Sequence, residues 1–409
     1  MPKHILVISQ VFYPESFRIN DICCEWVKRG YKVSVLTGIP NYPQGKFYKG
    51  YGWFKKRRER WNGIDIIRIP LIARGKGRLG LVANYLSFVV SGFFWRLFTR
   101  LKADLVFTFG LSPMTQALIG VGYSKRRKIP NYLYVQDLWP ENVESVTGIH
   151  SPIVIRPISR MVNRIYKDCD KIFTTSPSLV KEIQKRTIGE ESKVIYWPQY
   201  GEDFYLPSVK KTNIPEIPDD GKFKIIFTGN IGQAQGLCVL SQTARLLKDQ
   251  GIDDVSFVIV GDGSGKQALI EEVKKQGVWD MFHIIGRQPS DRIPELLAAC
   301  DAAFISFSND PLWLLYIPAK LQSYLACGMP VLASAGGETA RVISEADCGV
   351  CCGIGDADAL SKGIKQLRTL DLSSLSENAR SYFALHFTKT SLMDEMDGYI
   401  EGIAPTIQP

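Results

Sequence analysis

Short apolar runs alternate with segments of helical length along the whole chain. Seven such runs lie in the first half and five in the second, at residues 5–9, 33–37, 64–69, 105–109, 132–135, 171–175, 194–197, 224–228, 256–260, 283–285, 302–306 and 331–333. Apolar strands that are joined by helices and buried on both faces are typical of parallel sheets. The pattern therefore predicts an α/β protein with two doubly wound domains.

A proline-rich segment separates the two sets of runs. Residues 206–221 contain three prolines and end in Asp-Asp-Gly, which interrupts any periodic pattern. We place a hinge here, between a first domain at residues 1–205 and a second at 206–385. A helix-like segment at 375–403 follows with no further strand to join, so we expect residues 386–409 to return and pack on the first domain.

The N-terminus and the cysteines indicate a cytoplasmic protein. The first apolar run covers about five residues, whereas the apolar core of a signal peptide has about 7 to 15, so we expect a buried strand. The nine cysteines are odd in number and scattered through 409 residues. Disulfide frameworks belong mainly to small secreted domains, which makes reduced thiols the better interpretation here.

Positive charge is concentrated in the first half of the chain. Residues 1–205 contain 32 Lys and Arg against 16 Asp and Glu, while residues 206–409 contain 18 against 25. Between Lys46 and Lys128 there are 18 basic residues and three acids. Such a surface favours an anionic partner, namely a phosphate, a nucleic acid or an anionic membrane. No nucleic-acid-binding motif accompanies the charge, so we expect no nucleic-acid partner.

Aromatic residues interleave with the basic ones at 48–58 and 85–102. The run from Tyr85 to Trp95 is apolar except for two serines and Gly92. It is far shorter than the roughly 20 residues that span a bilayer, and its basic flanks indicate a helix lying in the membrane surface. A buried core helix fits the same pattern. The candidate membrane residues are Lys55, Lys56, Arg57, Arg58, Trp95 and Arg96.

Two features of the second domain favour phosphate binding. A glycine-rich turn at 229–236 lies between a predicted strand and a helix, where backbone N–H groups approach a ligand closely. Lys320 falls in the first turns of a helix that Pro318 begins and Gly328 ends. A cation there opposes the helix dipole, which suggests an anionic ligand. A tight structural turn and a solvated surface lysine are the alternatives.

Polar residues also follow predicted strands of the first domain, at the edge where α/β clefts form. Asp137 and Glu141 lie in the segment Gln-Asp-Leu-Trp-Pro-Glu and are candidates to orient an acceptor hydroxyl or take its proton. An N-cap is the alternative for Asp137. Glu15 and Arg18 follow the first strand as candidate sugar or phosphate contacts, with a surface salt bridge as the alternative.

Several of these segments together resemble family 4 glycosyltransferases of the GT-B fold. The segments are 229–236, 261–263, 286–289, 318–330, Tyr-Pro-Gln-Gly at 42–45 and 136–141. They are similar to the branch that contains L-fucosamine transferases of bacterial O-antigen, capsule and colanic-acid synthesis. The resemblance implies two Rossmann-like domains facing a central cleft, and retaining transfer of a sugar from a UDP-sugar to a polyprenyl-diphosphate-linked acceptor. It also implies an enzyme without metal or cofactor at the inner face of the membrane, and a donor sugar such as L-FucNAc.

The resemblance assigns roles to individual residues. It places Lys320 and the glycine turn at the donor diphosphate and 286–288 around the nucleobase. The implied catalytic residues are Lys320, Arg287, Asp137 and Glu141. The implied donor-binding residues are Gly229, Asn230, Gly232, Gln235, Gly261, Gly286, Gln288, Pro318 and Ser323. The implied acceptor-binding residues are Glu15, Arg18, Asn41 and Tyr42.

The sequence departs from the family pattern at two points. Leu315 and Ser323 stand where the commonest form has two glutamates, so the carboxylate that binds the ribose is missing. Asn230 and Gln235 replace the expected basic pair of the glycine turn. Two other functions therefore stay open: a UDP-sugar epimerase of the same fold, and a non-catalytic protein that binds nucleotide sugars.

Overall fold

The computed structural model describes residues 2–75, 77–208 and 214–403. The chain divides into two compact units, Met1–Trp197 and Pro198–Pro409. Each unit is built on its own largely parallel sheet, which confirms the predicted α/β class. Residues 209–213 of the predicted hinge and 404–409 of the predicted returning segment lie outside the described residues. The return of that segment to the first domain stays a prediction.

The first unit contains an eight-stranded sheet. Its strands are β1 (His4–Ile8), β2 (Lys32–Thr37), β3 (Arg58–Trp61), β4 (Ile64–Arg68), β5 (Leu105–Gly110), β6 (Asn131–Val135), β7 (Lys171–Thr174) and β8 (Val194–Tyr196). Their spatial order is β3-β4-β2-β1-β5-β6-β7-β8, and the β3–β4 pair is antiparallel while the others are parallel. The helices are α1 (Arg18–Lys28), α2 (Arg78–Phe98), α3 (Ala117–Arg127), α4 (Glu141–Thr147), α5 (Pro152–Lys167) and α6 (Pro177–Gln184).

The second unit contains a six-stranded parallel sheet. Its strands are β9 (Phe223–Asn230), β10 (Val255–Asp262), β11 (Phe282–Ile285), β12 (Ala302–Ser306), β13 (Val331–Ser334) and β14 (Gly349–Cys352), in the spatial order β11-β10-β9-β12-β13-β14. The helices are α7 (Val239–Asp249), α8 (Lys266–Lys275), α9 (Ile293–Ala298), α10 (Ala319–Ala326), α11 (Gly337–Glu345), α12 (Ala357–Leu367), α13 (Leu372–His386) and α14 (Lys389–Glu401).

Helices pack on the sheets through apolar stripes. In α1 the buried residues recur at helical spacing and are Ile19, Ile22, Cys23 and Trp26. The Trp26 ring meets Phe107 of β5 edge to face, with centroids 5.0 Å apart. Packing of this kind makes each sheet a rigid platform, so the loops at the strand ends hold their side chains in fixed places.

Each sheet contains a point where the strand order reverses. In the first unit β2 and β5 pair with opposite sides of β1, and in the second β10 and β12 pair with opposite sides of β9. Ligands of doubly wound folds bind at the carboxyl ends of the strands beside such a point. The loops after β1 and β5, and those after β9 and β12, are therefore the places where a site is expected.

Two strands were missed by the sequence reasoning. β3 has the sequence Arg-Glu-Arg-Trp and was interpreted only as basic membrane flank, yet it pairs with β4 as the antiparallel edge of the sheet. β14 follows the last predicted strand, so the expectation of no further strand was wrong. It begins at Gly349, where a Cβ atom would lie 1.8 Å from the Val331 carbonyl oxygen. A strand that begins with glycine at a sheet edge carries a weak sequence signal.

Two helices also differ from expectation. The segment predicted as one helix at 375–403 is two helices, α13 and α14, separated at Phe387 and Thr388. The apolar run predicted to cover Tyr85 to Trp95 belongs to α2, which has 21 residues. At Gly80, inside α2, a Cβ atom would come within 2.6 Å of the Arg74 carbonyl oxygen, so a larger residue would require the backbone to shift. The expectation that this run falls far short of a bilayer's thickness was therefore wrong.

Candidate functional site

The carboxyl ends of the strands form one edge of the second sheet, and the loops there carry the predicted donor residues. These loops lie at 229–236, including the last two residues of β9, at 261–263, including the last two residues of β10, at 286–288 after β11 and at 307–318 after β12. Lys320 follows the last of them as the second residue of α10, and Pro318 is the residue before that helix. We call these loops and Lys320 the second-sheet edge.

Lys320 points its ammonium group at the glycine turn. Its Nζ atom lies 3.8 Å from the centroid of the Phe227 ring on β9, and 3.7 Å from the position that a Cβ on Gly229 would occupy. Within the described ranges it has no carboxylate within 4.0 Å. Burial lowers the pKa of Lys320 to about 7, with no charged neighbour contributing to the shift. This half-buried amine thus has no anionic partner among the residues that the structure describes.

This environment suits an anionic ligand. A lysine whose pKa is about 7 is only half protonated at neutral pH. A phosphate close to the ammonium would restore the charge, because an opposite charge within about 4–6 Å favours the protonated form. The aromatic face of Phe227 holds the cation in place meanwhile.

Glycines let two loops of this edge approach each other. Gly261 has φ +146°, and a Cβ there would lie 1.8 Å from the Gly229 carbonyl oxygen. Gly263 is similar, with φ +156° and a Cβ position 2.4 Å from the Ile231 carbonyl oxygen. The Gly265 N–H donates to that same carbonyl at 2.8 Å. Gly261 therefore serves the backbone geometry on which the neighbouring turn depends.

The polar residues of the glycine turn have contacts within it. The Gln235 Oε1 atom accepts a hydrogen bond from the Gly232 N–H at 3.0 Å, so Gln235 caps the turn. The Asn230 amide lies beside Gly232, whose Cβ position would be 2.8 Å from Asn230 Nδ2. Neither residue supplies the positive charge of a basic pair. Lys320 is the cation whose contacts place it beside the turn.

Ser323 does not replace the missing ribose carboxylate in this conformation. Its side chain is buried in α10, and its hydroxyl donates to the Ala319 carbonyl oxygen at 3.3 Å. A carboxylate that sequence reasoning missed reaches the same end of the sheet from the helix after β13. This residue, Glu338, is buried and forms an ion pair with Arg341 at 2.7 Å. The signal was present as Gly-Gly-Glu shortly after a predicted strand.

The loop after β11 is the most exposed part of this edge. Gly286 and Arg287 are exposed. Gln288 is half-buried, and its Oε1 atom accepts a hydrogen bond from Arg292 at 2.6 Å. Arg292 in turn pairs with Glu216 at 2.7 Å. Gln288 is thereby oriented, and Arg287 is free to extend toward a ligand.

Asp137 lies at the corresponding edge of the first sheet, after β6. Its Oδ2 atom accepts a hydrogen bond from the Ser112 N–H at 2.7 Å, and burial raises the pKa of its carboxyl. The N-cap alternative does not hold, because α4 begins after Pro140 and has no side-chain cap. Asp137 joins the loops after β5 and β6 and keeps a raised pKa, which is useful in a group that accepts a proton.

Glu141 is held by a partner distant in sequence. It is the first residue of α4 and pairs with Arg186, which also donates to Ser159 at 3.0 Å and to Asn163 at 3.2 Å. A carboxylate in such a network is fixed in position. The contacts support a structural role for Glu141 more directly than a role in proton transfer.

Glu15 is buried and organises the loop after β2. Its Oε1 atom accepts hydrogen bonds from the backbone N–H groups of Asn41 at 2.7 Å and Tyr42 at 2.6 Å. Burial is the main cause that raises the pKa of this carboxyl. Arg18 begins α1 nearby. Glu15 therefore holds the backbone of Asn41 and Tyr42 in position, and these hydrogen bonds engage its carboxylate.

Sequence reasoning missed a buried amide network at the carboxyl ends of the strands of the first sheet. The Gln10 Nε2 atom donates to Asn84 Oδ1 at 2.6 Å, and Asn84 Nδ2 donates to the Ile72 carbonyl oxygen at 2.6 Å. The Gln10 N–H donates to Gln116 Oε1 at 2.7 Å. The network joins the loops after β1 and β5 to α2. A single asparagine, Asn84, in an apolar helix was the available signal.

Arg74 and Tyr85 were missed as well. The Arg74 guanidinium lies 5.5 Å from the centroid of the Tyr42 ring, and the backbone N–H of Arg74 donates to Asn41 Oδ1 at 3.0 Å. Burial raises the pKa of Tyr85, and its hydroxyl interacts electrostatically with Arg74 and Asp137. Arg74 thus adds a cation to the first-sheet edge beside the predicted acceptor residues. We call the loops after β1, β2, β5 and β6 with these side chains the first-sheet edge.

The predicted membrane residues lie in two places, in α2 and in the loop that leads into β3. Only 17% of the window Leu79–Phe98 is buried, so the alternative of a buried core helix is wrong. By length and composition this helix is able to cross a membrane. Its exposed apolar face consists of Leu79, Val82, Leu86, Val90, Phe93, Phe94, Leu97 and Phe98.

The loop before β3 places basic and aromatic residues together. Phe54 is 93% exposed, and Lys55 and Lys56 beside it are exposed. Arg57 is different, since it donates to the Arg68 carbonyl oxygen at 2.6 Å and helps to fold the loop. At the end of α2, Trp95 stacks on Tyr123 at 5.6 Å, and Arg96 lies over the Phe93 ring at 4.5 Å.

No group of three or more His, Cys, Asp or Glu side chains arranged to hold a metal ion occurs among residues 2–75, 77–208 and 214–403.

Comparison with protein families assigns each half of the chain to a glycosyltransferase domain. Residues 16–198 match the glycosyl transferase 4-like domain, and residues 209–382 match glycosyl transferases group 1. The second match contains the second-sheet edge, and the first contains the first-sheet edge except for the part of the loop after β1 that precedes residue 16, with Gln10 and Glu15.

Two curated bacterial proteins are similar to the chain. A probable glycosyltransferase of Pseudomonas aeruginosa, WbjE, is 28% identical over 268 residues, which is 63% of this chain and 64% of that protein. A putative colanic acid biosynthesis glycosyl transferase of Escherichia coli, WcaI, is 25% identical over 420 aligned positions, covering 97% of this chain and all of that protein. The chain thus covers less than two thirds of the first relative and the whole of the second.

Solved structures share the fold at low sequence identity. Sucrose-phosphate synthase of Thermosynechococcus elongatus superposes with a TM-score of 0.75 at 15% identity, covering 98% of this chain and 99% of that one. The Anabaena protein HepE, in complex with UDP and glucose, superposes with a TM-score of 0.67 at 16% identity, covering 98% and 100%. These likenesses confirm the predicted GT-B fold.

Proposed function

Because the chain is a GT-B glycosyltransferase with a 4-like domain followed by a group 1 domain, we propose that it transfers a sugar from a UDP-sugar to a polyprenyl-diphosphate-linked acceptor. The transfer retains the anomeric configuration and needs no metal ion. We place the enzyme in the cytoplasm, bound peripherally to the inner membrane, where it takes part in the synthesis of a bacterial surface polysaccharide.

The observation that carries the proposal is the environment of Lys320. Its ammonium is desolvated, has no carboxylate partner among the described residues and lies under a glycine turn at the reversal point of the second sheet. A leaving diphosphate needs positive charge that is already in place and already desolvated. Lys320, Arg287 and the backbone N–H groups of the turn supply that charge without a divalent ion.

The nucleotide and the pathway are supported by similarity. HepE is described in complex with UDP and glucose, and WcaI is named for colanic acid biosynthesis. A surface-polysaccharide enzyme that uses a UDP-sugar fits both. The segments shared with L-fucosamine transferases support a donor such as L-FucNAc, and retention follows from the same resemblance.

The first-sheet edge supports acceptor binding. Asp137 is buried with a raised pKa, and Tyr85 interacts electrostatically with both Asp137 and Arg74. We assign Asp137 to orient the acceptor hydroxyl, and Arg18, Arg74, Asn41 and Tyr42 to contact the acceptor's diphosphate or sugar. Glu15 keeps Asn41 and Tyr42 in position through their backbone N–H groups.

The surface around α2 supports membrane attachment. A lipid-linked acceptor stays in the bilayer, so the enzyme must work at its surface. Arg58 lines one groove together with the exposed Phe94 and Phe98 of α2, and the exposed Lys55 and Lys56 shortly precede Arg58 in the chain. Each basic residue near an anionic membrane contributes about 1 kcal/mol. Binding to anionic liposomes should therefore be reversible and weaken with salt. Replacing Lys55, Lys56 and Arg58 by Ser should release the protein and leave UDP affinity unchanged.

The deciding experiment is a screen of UDP-sugars by thermal shift, followed by a transfer assay on a polyprenyl-diphosphate sugar. A donor at 100 times its dissociation constant should stabilise the protein by about 2.7 kcal/mol. Transfer should continue in EDTA, and NMR of the product should show the donor's anomeric configuration. Loss of transfer in EDTA with rescue by Mg²⁺ would contradict the metal-free mechanism. Interconversion of UDP-sugars without an acceptor would identify an epimerase, and binding without turnover a non-catalytic partner.

A further inference from the structure

A groove of about 1050 Å³ runs along the first unit between α2 and the β3–β4 hairpin. Its volume lies at the upper end of the range of small-molecule sites. Ile67 and Ile69 on the sheet side and Trp95 and Leu101 on the helix side belong to one hydrophobic cluster and line the groove. The groove is therefore an apolar channel that is open to solvent.

The aromatic wall of the groove is exposed. Phe94 is 55% exposed and Phe98 79% exposed, and both line the groove from the last turns of α2. These residues belong to the apolar face of α2 that the proposed function places against a bilayer. The groove thus opens on a surface that an acyl chain is able to enter from the membrane.

Cations line the groove on both sides. β3 directs Arg58 and Arg60 to the groove, and Arg100 reaches it from beyond α2. The acids of the groove are engaged, since Glu59 pairs with Arg68 at 2.9 Å and Asp65 lies 3.9 Å from Arg60.

Two of the cations lack an acidic partner. Neither Arg58 nor Arg100 has a carboxylate within 4.0 Å in the part of the chain that the structure describes. Both are exposed. Arginine forms strong paired hydrogen bonds with phosphate oxygens. An apolar channel beside two free guanidinium groups is complementary to a molecule that joins a phosphate to a hydrocarbon chain.

The groove shares no lining residue with the side chains named at the first-sheet edge. Lys32 and Ser34, at the start of β2, line one end of the groove, and Ile69 and Pro70, which follow the carboxyl end of β4, line the other. Asn84, near the other end of α2, bonds to Gln10 at the carboxyl end. The 14 residues from Asn84 to Phe98 correspond to about 21 Å along a helix. A lipid phosphate beside Arg100, which follows Phe98, is therefore separate from the place where an acceptor sugar would react.

We propose that this groove is a specific site for an anionic glycerophospholipid of the membrane. The lipid phosphate pairs with Arg58 and Arg100, and one acyl chain lies along Phe94 and Phe98. The site rests on the membrane attachment in the proposed function and deepens it, because a lipid held here fixes how α2 meets the bilayer.

The test uses dihexanoyl phosphatidylglycerol below its critical micelle concentration, with the full-length protein and isothermal titration calorimetry. We expect saturable binding of one lipid per chain. Dihexanoyl phosphatidylcholine and glycerol 3-phosphate should bind at least about tenfold more weakly, because each lacks either the net charge or the chain. Geranyl diphosphate should also bind more weakly.

Variants separate the groove from general charge. Arg58→Gln with Arg100→Gln should weaken phosphatidylglycerol binding about tenfold or more, and Phe98→Ser should weaken it without changing the charge. The matched control, Lys55→Gln with Lys56→Gln, removes two neighbouring charges outside the groove and should bind the short-chain lipid like wild type. Thermal melting of each variant verifies that it is folded.

Each contrary result overturns the site. Equal binding of phosphatidylcholine, equal binding of glycerol 3-phosphate, or no loss in the double arginine variant would show that the groove is not a phospholipid site. Tighter binding of geranyl diphosphate would make it a site for the acceptor's lipid instead. Liposome binding and sugar transfer are measured on the same preparations. If both persist while short-chain lipid binding is absent, the groove assignment fails and the proposed function stands; if liposome binding is absent, the membrane part of that function fails.

Discussion

The two sheet edges solve the problem of ligand binding in opposite ways. The second-sheet edge is built from glycine turns whose backbones approach closely, with a lysine beside them whose pKa is lowered by burial. The first-sheet edge is a dense network in which Gln10, Asn84, Glu15 and Asp137 tie the loops together. The first arrangement leaves backbone N–H groups and one charge for a ligand, while the second fixes loop shape before any ligand binds.

The difference corresponds to the chemistry proposed for each edge. A diphosphate is recognised by charge and by backbone donors, so a site for it needs close backbone approach and few side chains. A sugar acceptor has to be held with its hydroxyl in line, and that depends on side chains with fixed positions. Substitutions at the second-sheet edge should therefore weaken diphosphate binding through lost charge or lost backbone approach. Substitutions at the first-sheet edge should instead disturb the positions of the side chains that hold the acceptor.

The largest effect is expected from Lys320→Ala. Removing this cation from beside the glycine turn should lower turnover 10²-fold or more, which is about 3 kcal/mol of lost electrostatic stabilisation. Steady-state kinetics with the identified donor measures it. Lys275→Ala, an exposed lysine of the same unit, is the control and should behave like wild type. A folded Lys320→Ala variant with normal turnover would remove Lys320 from the diphosphate site.

Gly261→Ala should break the second-sheet edge through its backbone. The new Cβ would lie 1.8 Å from the Gly229 carbonyl oxygen, so the two strands must separate, at a cost of about 3 kcal/mol. UDP binding should be lost with it. Gly277→Ala is the matched control, since Gly277 also has positive φ but open space around its Cβ position, and about 1 kcal/mol is expected. Equal melting temperatures of the two variants would contradict this account.

Asn84→Ala should break the first-sheet edge and spare the second. It leaves the Gln10 amide and the Ile72 carbonyl oxygen without a partner, which costs about 2 kcal/mol. Denaturant unfolding measures the loss, and acceptor KM should rise while UDP affinity is unchanged. Val82→Ala, an exposed position on the same helix, should stay within about 0.5 kcal/mol of wild type. A fall in UDP affinity in Asn84→Ala would show that the two edges are not independent.

The strands and the position of Lys320 could be predicted because their signals are local. Apolar runs identify buried strands, and Pro318 with Gly328 brackets the helix that carries Lys320. The pairing of β3 could not be predicted in this way. In β3 the two arginines alternate with Glu59 and Trp61. Glu59 pairs with Arg68, and Trp61 stacks on Tyr13 at 4.4 Å. Those partners are set by tertiary structure.

The use of each polar side chain was also beyond the sequence. Glu141 pairs with Arg186, 45 residues away, and Ser323 bonds within its own helix. A candidate carboxylate or hydroxyl is identified by residue type, but whether it is free depends on contacts that only the folded chain defines. Arg74 shows the converse, because a residue in an unremarkable loop becomes a cation at the first-sheet edge through the Tyr42 ring.

The smallest effect, and the sharpest test of the comparison, is the pH dependence of UDP affinity. The pKa of Lys320 is about 7 in the free protein because its charged form is desolvated, and a bound diphosphate raises that pKa again. Binding then takes up a proton above pH 7, so affinity should fall by about fivefold between pH 7 and pH 8, where the phosphates of UDP are fully ionised.

The stability of the protein without ligand should change in the opposite direction. The unfolded chain binds more protons than the folded one between about pH 7 and the ordinary lysine pKa, so the free energy of unfolding should rise with pH in that window. Titration calorimetry at several pH values measures the UDP affinity. Lys320→Arg stays charged throughout this range, so its UDP affinity should change little with pH. A wild-type affinity that is constant from pH 7 to pH 8 would show that the charge of the second-sheet edge comes from Arg287 and the backbone, without Lys320.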